Sequence, residues 1–173
     1  MKATGTEARL MRLLDRIDIE DVLHRYYRGL DRFDEDLMLS AFHPDAIELH
    51  GGTAQGNAWE VSRNLLKIAR PFSTSHIHFL TNLQVDFADA DTAFTEAYVL
   101  AVSRKEDGQG RRDYVFMGRL VDRLERRNGE WRIAHRLLVK DIDRIDSVVV
   151  EPDKPGAVRG RRDRGDPSYQ RER

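Results

Sequence analysis

The apolar residues of this chain change their spacing once, at Pro71, and that change limits the fold more than any other feature. Between residues 7 and 30, Leu10, Leu13, Leu14, Ile17, Val22, Leu23, Tyr26, Tyr27 and Leu30 recur at steps of three and four, the repeat of an amphipathic helix. Asp15 or Asp18 could cap a restart within it. Residues 34–42 predict a second short helix, stopped by the turn His43-Pro44-Asp45, and a short strand follows at 46–51. Asn57 then precedes a third helix that ends at Pro71, with Trp59, Leu65, Leu66 and Ile68 available for burial. Beyond Pro71 the repeat falls to two, and residues 76–87, 92–104, 112–126 and 131–140 read as strands. The links at 88–91, 106–110 and 127–130 are hairpin connections, the last carrying the turn pair Asn128-Gly129. Helices followed by a meander predict an α+β fold: a curved antiparallel sheet packed against N-terminal helices, with a cavity between them.

A chain of 173 residues is long enough for one domain with a real core. It has no cysteine, which excludes a thiol nucleophile, an iron–sulfur cluster and Cys-ligated zinc. A net charge of -1 supplies no field to attract nucleic acid or an anionic membrane, so neither is an expected partner. The first residues hold no apolar block of signal-peptide length, and a cytoplasmic location is expected. Composition shifts near Val150. Residues 151–173 hold seven Lys/Arg, five Asp/Glu, three Pro and three Gly, so residues 1–150 are expected to fold and 151–173 to form a flexible charged tail.

Three groups of residues could carry chemistry. At the end of the first helix, His24, Tyr27 or Arg28, and Asp31 share one stripe, with Tyr26 on the neighbouring stripe beside Leu30. A half-buried Asp31 would need a partner such as an imidazole. His76 and His78 open the first long strand on one face. They suggest a base beside a spare, or two metal ligands, but only Asp31, His50 and His24 offer themselves as further ligands and no metal spacing supports them. On the last strand, Trp131, Ile133, His135, Leu137 and Val139 form one face and Ala134, Arg136 and Leu138 the other. A half-buried Arg136 would need an anion. Arg119 and Asp122 on the preceding strand read equally as a salt link or as ligand contacts. No nucleophile elbow, phosphate loop or dinucleotide fingerprint is present.

Four segments in this order, IEDVLHRYYRGLDRFDEDLMLSAFHPDA, HFLTN, DTAFTEAYVLA and GRLVDRLERRNGEWRIAHR, resemble the SnoaL-like branch of the NTF2-like superfamily. The resemblance implies a cone of curved sheet closed by helices. Its members include scytalone dehydratase, hexachlorocyclohexane dehydrochlorinase and bile acid 7α-dehydratase. It implies a cofactor-independent lyase or isomerase acting on a small, largely apolar, cyclic substrate. On that likeness Asp31 and His78 correspond to a catalytic Asp–His dyad, with His76 as the alternative base. Tyr26 or Tyr27 corresponds to a tyrosine donor, and Arg136 to a pocket arginine. Trp59, Phe79, Tyr98 and Phe116 are expected to shape the substrate pocket. The acid that the bile acid enzyme carries after its middle-strand tyrosine is absent, since this chain reads Tyr98-Val99-Leu100-Ala101. The same fold also serves as a non-catalytic small subunit of aromatic-ring dioxygenases, the competing expectation. No metal or cofactor is expected, and apolar outward-facing strands suggest a homo-oligomer, dimer or trimer.

Overall fold

The computed structural model describes residues 5–52, 54–108, 110–149 and 152–170. Val150 and Glu151, the expected start of the tail, and Gln109 of the 106–110 link lie outside them. The chain forms α1 (Gly5–Arg32), α2 (Glu35–Leu39), β1 (Phe42–Gly51), β2 (Ala54–Asn57), α3 (Ala58–Phe72), β3 (Ser75–Phe87), β4 (Thr92–Asp107), β5 (Gly110–Arg127) and β6 (Glu130–Ser147). The six strands form one sheet in the order β2-β1-β6-β5-β4-β3. It is α+β as expected, but the sheet is mixed, because β1 returns parallel to β6.

Helix α1 is continuous. Asp15, a candidate cap, is instead buried in mid-helix, where its Oδ1 accepts hydrogen bonds from Trp131 Nε1 at 3.0 Å and Arg126 Nη1 at 2.7 Å. Below it, Ile19, Val22, Leu23, Tyr26 and Leu30 pack with Leu120, Leu124, Trp131 and Ile133 into the main core. Gly29 lets α2 press against α1, since a Cβ there would lie 2.5 Å from the backbone nitrogen of Met38. Asn57 caps α3 as expected, its Oδ1 accepting from the amides of Trp59 and Glu60. Pro71 lies within the last turn of α3, one residue before its end.

Irregularities in the ladders decide which strand residues face inward. Between Thr81 and Gln84 the β3–β4 pairing gains a residue, with Asn82 at φ 48°. Inward parity therefore passes from His76 and His78 to Val85 and Phe87. In β6, Ala134 is the extra residue between the pairs Arg123–His135 and Leu124–Ile133. The single face expected for Trp131 through Val139 is thereby broken: Trp131 and Ile133 face the core, and after the bulge Arg136 does, while Leu137 is exposed. His43-Pro44-Asp45 is not a turn but part of β1, at a point where the β1–β6 ladder skips from Phe42 to Ile47 and asks no donor of the proline. Among the described residues no helix is long and apolar enough to cross a membrane.

The tail departs from expectation as well. Residues 161–170 are docked on the end of α1, on α2 and on the start of β3. Arg162 donates to the Ser73 hydroxyl at 2.6 Å, lies 3.4 Å from His76 Nδ1 and stacks over Phe33. Arg164 and the Tyr169 hydroxyl both donate to Asp34, at 3.0 and 2.9 Å.

Candidate active site

A cavity of about 570 Å³ lies between α1, α3 and the sheet, with Leu30, Leu65, Ile68, Phe72, Val99 and Phe116 among its walls. Its polar groups are few: Tyr26, Tyr27, His50, His76, His78, Ser103 and Tyr114, with Asp143 and Arg144 contributed by β6. The last turn of α1 brings Asp31 to β3. Its Oδ1 is 2.7 Å from His78 Nδ1, and its Oδ2 accepts the backbone N–H of His78 at 3.2 Å. Asp31 itself faces a smaller depression of about 220 Å³ that it shares with His24, Tyr27, Arg28 and His78. His78 lines both spaces.

Tyr27 stacks on His78 with ring centroids 4.5 Å apart. Burial raises its phenol pKa well above the ordinary range, which keeps it a donor. His76 lies on the other side of His78, at 4.3 Å between centroids. Burial, then the neighbouring His78 and Arg162, push its pKa down to about 3, so His76 is neutral at pH 7.

The remaining expected residues divide. Phe116 lines the cavity, as do Tyr26, Tyr27, His76 and His78. Phe79 and Tyr98 do not: alternation puts them on the outer face, 50% and 45% exposed. Trp59 packs against the edge of the core rather than the cavity. Tyr26 is 1% exposed, and its hydroxyl is directed to Glu48 Oε1 at 3.4 Å. Arg136 is wholly buried and does not line the cavity. It makes paired bonds of 2.9 and 2.6 Å to Asp122, and its guanidinium lies 4.2 Å above the Tyr26 ring. Burial works against its charge, but Asp122 outweighs burial and raises its pKa. The Arg119–Asp122 link does not form; Arg119 pairs with Asp141 and Glu96.

Sequence reasoning missed Glu48 and considered His50 only as a loose metal ligand. Two residues apart on β1, they share the inward face with Ala46, and His50 Nδ1 is 3.0 Å from Glu48 Oε1. That parity was available in the sequence. Among the described residues no group of three or more His, Asp or Glu is arranged to hold a metal ion.

The sequence profile of a SnoaL-like domain matches residues 11–137. The fold matches a hexachlorocyclohexane dehydrochlorinase, LinA type 3, from Novosphingobium barchaimii, at 23% identity and TM-score 0.74, over 83% of this chain and 99% of that one. It matches a scytalone dehydratase-like protein of Novosphingobium aromaticivorans at 19% identity and TM-score 0.70, over 86% and 98% of the two chains. A candidate aromatic ring hydroxylase from the same organism matches at 24% identity and TM-score 0.67, over 79% and 94%. No curated protein sequence matches. At these identities the likenesses establish the NTF2-like fold and no more.

Proposed function

The chain belongs to the SnoaL-like domain family, and from that premise we propose that it is a lyase, or an isomerase using the same first step, that removes a proton from carbon in a small, apolar, cyclic substrate. The observation that carries this reading is the Asp31–His78 pair at 2.7 Å, with His78 on the wall of a largely apolar cavity of about 570 Å³. Asp31 accepts the Nδ1 proton and fixes the tautomer, so Nε2 is the free base. As Nε2 takes the substrate proton, the imidazolium that forms is stabilised by the carboxylate beside it. Tyr27, a neutral phenol packed on His78, donates a hydrogen bond to the charge that develops on the substrate. Arg136 acts from behind, by holding Tyr26 and Asp122 in place. These steps use neither metal nor cofactor.

The likeness to a dehydrochlorinase and to a dehydratase-like protein supports an elimination. The likeness to a candidate ring hydroxylase is compatible with a second reading, a non-catalytic subunit or ligand carrier, which has no use for a buried dyad beside an open cavity. Screening cyclic alcohols and halides for release of water or halide, with His78→Ala beside the wild type, tests the proposal. Turnover that survives His78→Ala would defeat it. The exposed row Ile77, Phe79, Phe94 and Tyr98 on the outer sheet face is where a dimer or trimer would bury apolar surface. Light scattering of the purified protein at two concentrations tests that assembly.

A further inference from the structure

The dyad leaves two inward imidazoles of the cavity without a task, His76, which packs between His78 and Arg162 and is held neutral, and His50. His50 lines the cavity from β1, and its Nδ1 is 3.0 Å from Oε1 of Glu48, a side chain with no exposure to solvent. The same oxygen accepts the Tyr26 hydroxyl at 3.4 Å, while Oε2 has no hydrogen-bond partner among the described residues. Glu48 stands opposite Arg136 in the parallel β1–β6 ladder, but both strong bonds of that guanidinium go to Asp122. The buried set therefore holds one cation against two carboxylates. A buried carboxylate without a counter-charge is costly, and His50 is the group in contact with Glu48 that can take up a proton. The other polar groups nearby do not supply that charge. Tyr26 and Tyr27 on α1 are held as neutral phenols by burial, α3 presents Leu65, Ile68 and Phe72, and on β6 Asp143 pairs with Lys140 and Arg144 with Asp146.

We propose that His50, carried as an imidazolium by Glu48, is the general acid of this cavity, and that the departing group of the substrate is a hydroxyl. This rests on His78 being the base. Hydroxide is a poor leaving group and needs a proton in the transition state, whereas a halide or carboxylate leaves without one. In the step, His78 Nε2 takes the proton from carbon and the C–H electron pair becomes the new C=C bond. The C–O bond breaks with its electron pair on oxygen, which takes the His50 proton and leaves as water. His78 ends with one proton more and His50 with one fewer, and exchange with solvent restores both.

Two probes differing only in the leaving group test this: 3-hydroxycyclohexanone and 3-acetoxycyclohexanone, each giving cyclohexenone, followed by enone absorbance. His50→Gln is expected to lose roughly 10²-fold or more on the hydroxy compound and to change little on the acetoxy compound, the loss typical of a missing general acid. His78→Ala is expected to fail on both. Equal effects of His50→Gln on the two probes, or none on either, overturn the assignment. If the wild type accelerates neither probe, the elimination at His78 is what fails, and His50 is judged by a second measurement. Ring ¹⁵N spectra at pH 7, assigned with His50→Gln, are expected to show His50 protonated on both nitrogens, and a neutral tautomer in Glu48→Gln. A neutral His50 in the wild type overturns the proposal whatever the kinetics show.

Discussion

Asp31 holds His78 at two points, the ring through Oδ1 at 2.7 Å and the backbone amide through Oδ2 at 3.2 Å. One carboxylate thus ties the end of α1 to the first inward residues of β3 and sets the angle of the imidazole. Asp31→Asn can keep one of these bonds but not the negative charge. It is expected to lower kcat/KM by roughly 10²- to 10⁴-fold while leaving the protein folded. His78→Ala is expected to abolish turnover. Steady-state kinetics beside circular dichroism checks both, and full activity in either variant would remove the dyad from the mechanism.

The Arg136–Asp122 pair is wholly buried. Breaking it from one side strands a charge: Asp122→Asn or Arg136→Met is expected to cost about 3–5 kcal/mol. Asp122→Leu combined with Arg136→Met removes both charges and is expected to recover much of that loss. Denaturant unfolding of the single and double variants measures the difference, and additive losses would contradict the account.

His76 supplies a pH signature. Its native pKa, pushed down to about 3 by burial, His78 and Arg162, lies below the ordinary histidine value of about 6.5. The unfolded chain then binds a proton that the native state refuses. The stability involved is present above about pH 6.5 and is lost as pH falls towards about 3. His76→Asn is expected to flatten that limb of the stability curve. Identical curves for variant and wild type would show that the imidazole is solvated.

Removing residues 161–173 takes away the bonds of Arg162 to Ser73, of Arg164 and Tyr169 to Asp34, and the cover over Phe33. A loss of about 1–3 kcal/mol is expected from the polar groups left unpaired. Thermal unfolding of the shortened chain checks it, and an unchanged midpoint would mean that the tail adds nothing.

Much of this was legible in the residues. Local rules sufficed for α1, for the Asn57 cap and for the Asn128-Gly129 turn, whose two residues both take positive φ. The Asp31–His78 pairing was reached by resemblance, because helical and strand parity gave a face but no distance. What escaped was non-local. The parallel return of β1 beside β6 leaves no trace in either segment. Arg136 and Leu137 exchange faces because of one bulged alanine, and no periodicity announces it. The contacts of residues 161–170 could not be read from composition, because their arginines bind a hydroxyl and a carboxylate far along the chain.

The bulges at Asn82 and Ala134 have a consequence for how this gene can vary. Side chains in β3 and β6 can be exchanged one at a time with local effects. A one-codon deletion at either bulge takes out the residue without a ladder partner and leaves the remaining pairs in register, whereas a one-codon deletion in the regular ladder shifts the residues beyond it by one position. In β3 His76, His78, Val85 and Phe87 would still share the inward face after loss of Asn82, and in β6 Arg136 would stay inward after loss of Ala134. A mutational scan should therefore find these strands tolerant of deletion at Asn82 and Ala134 yet closed to it in the regular ladder on either side, with insertions confined to the hairpin links.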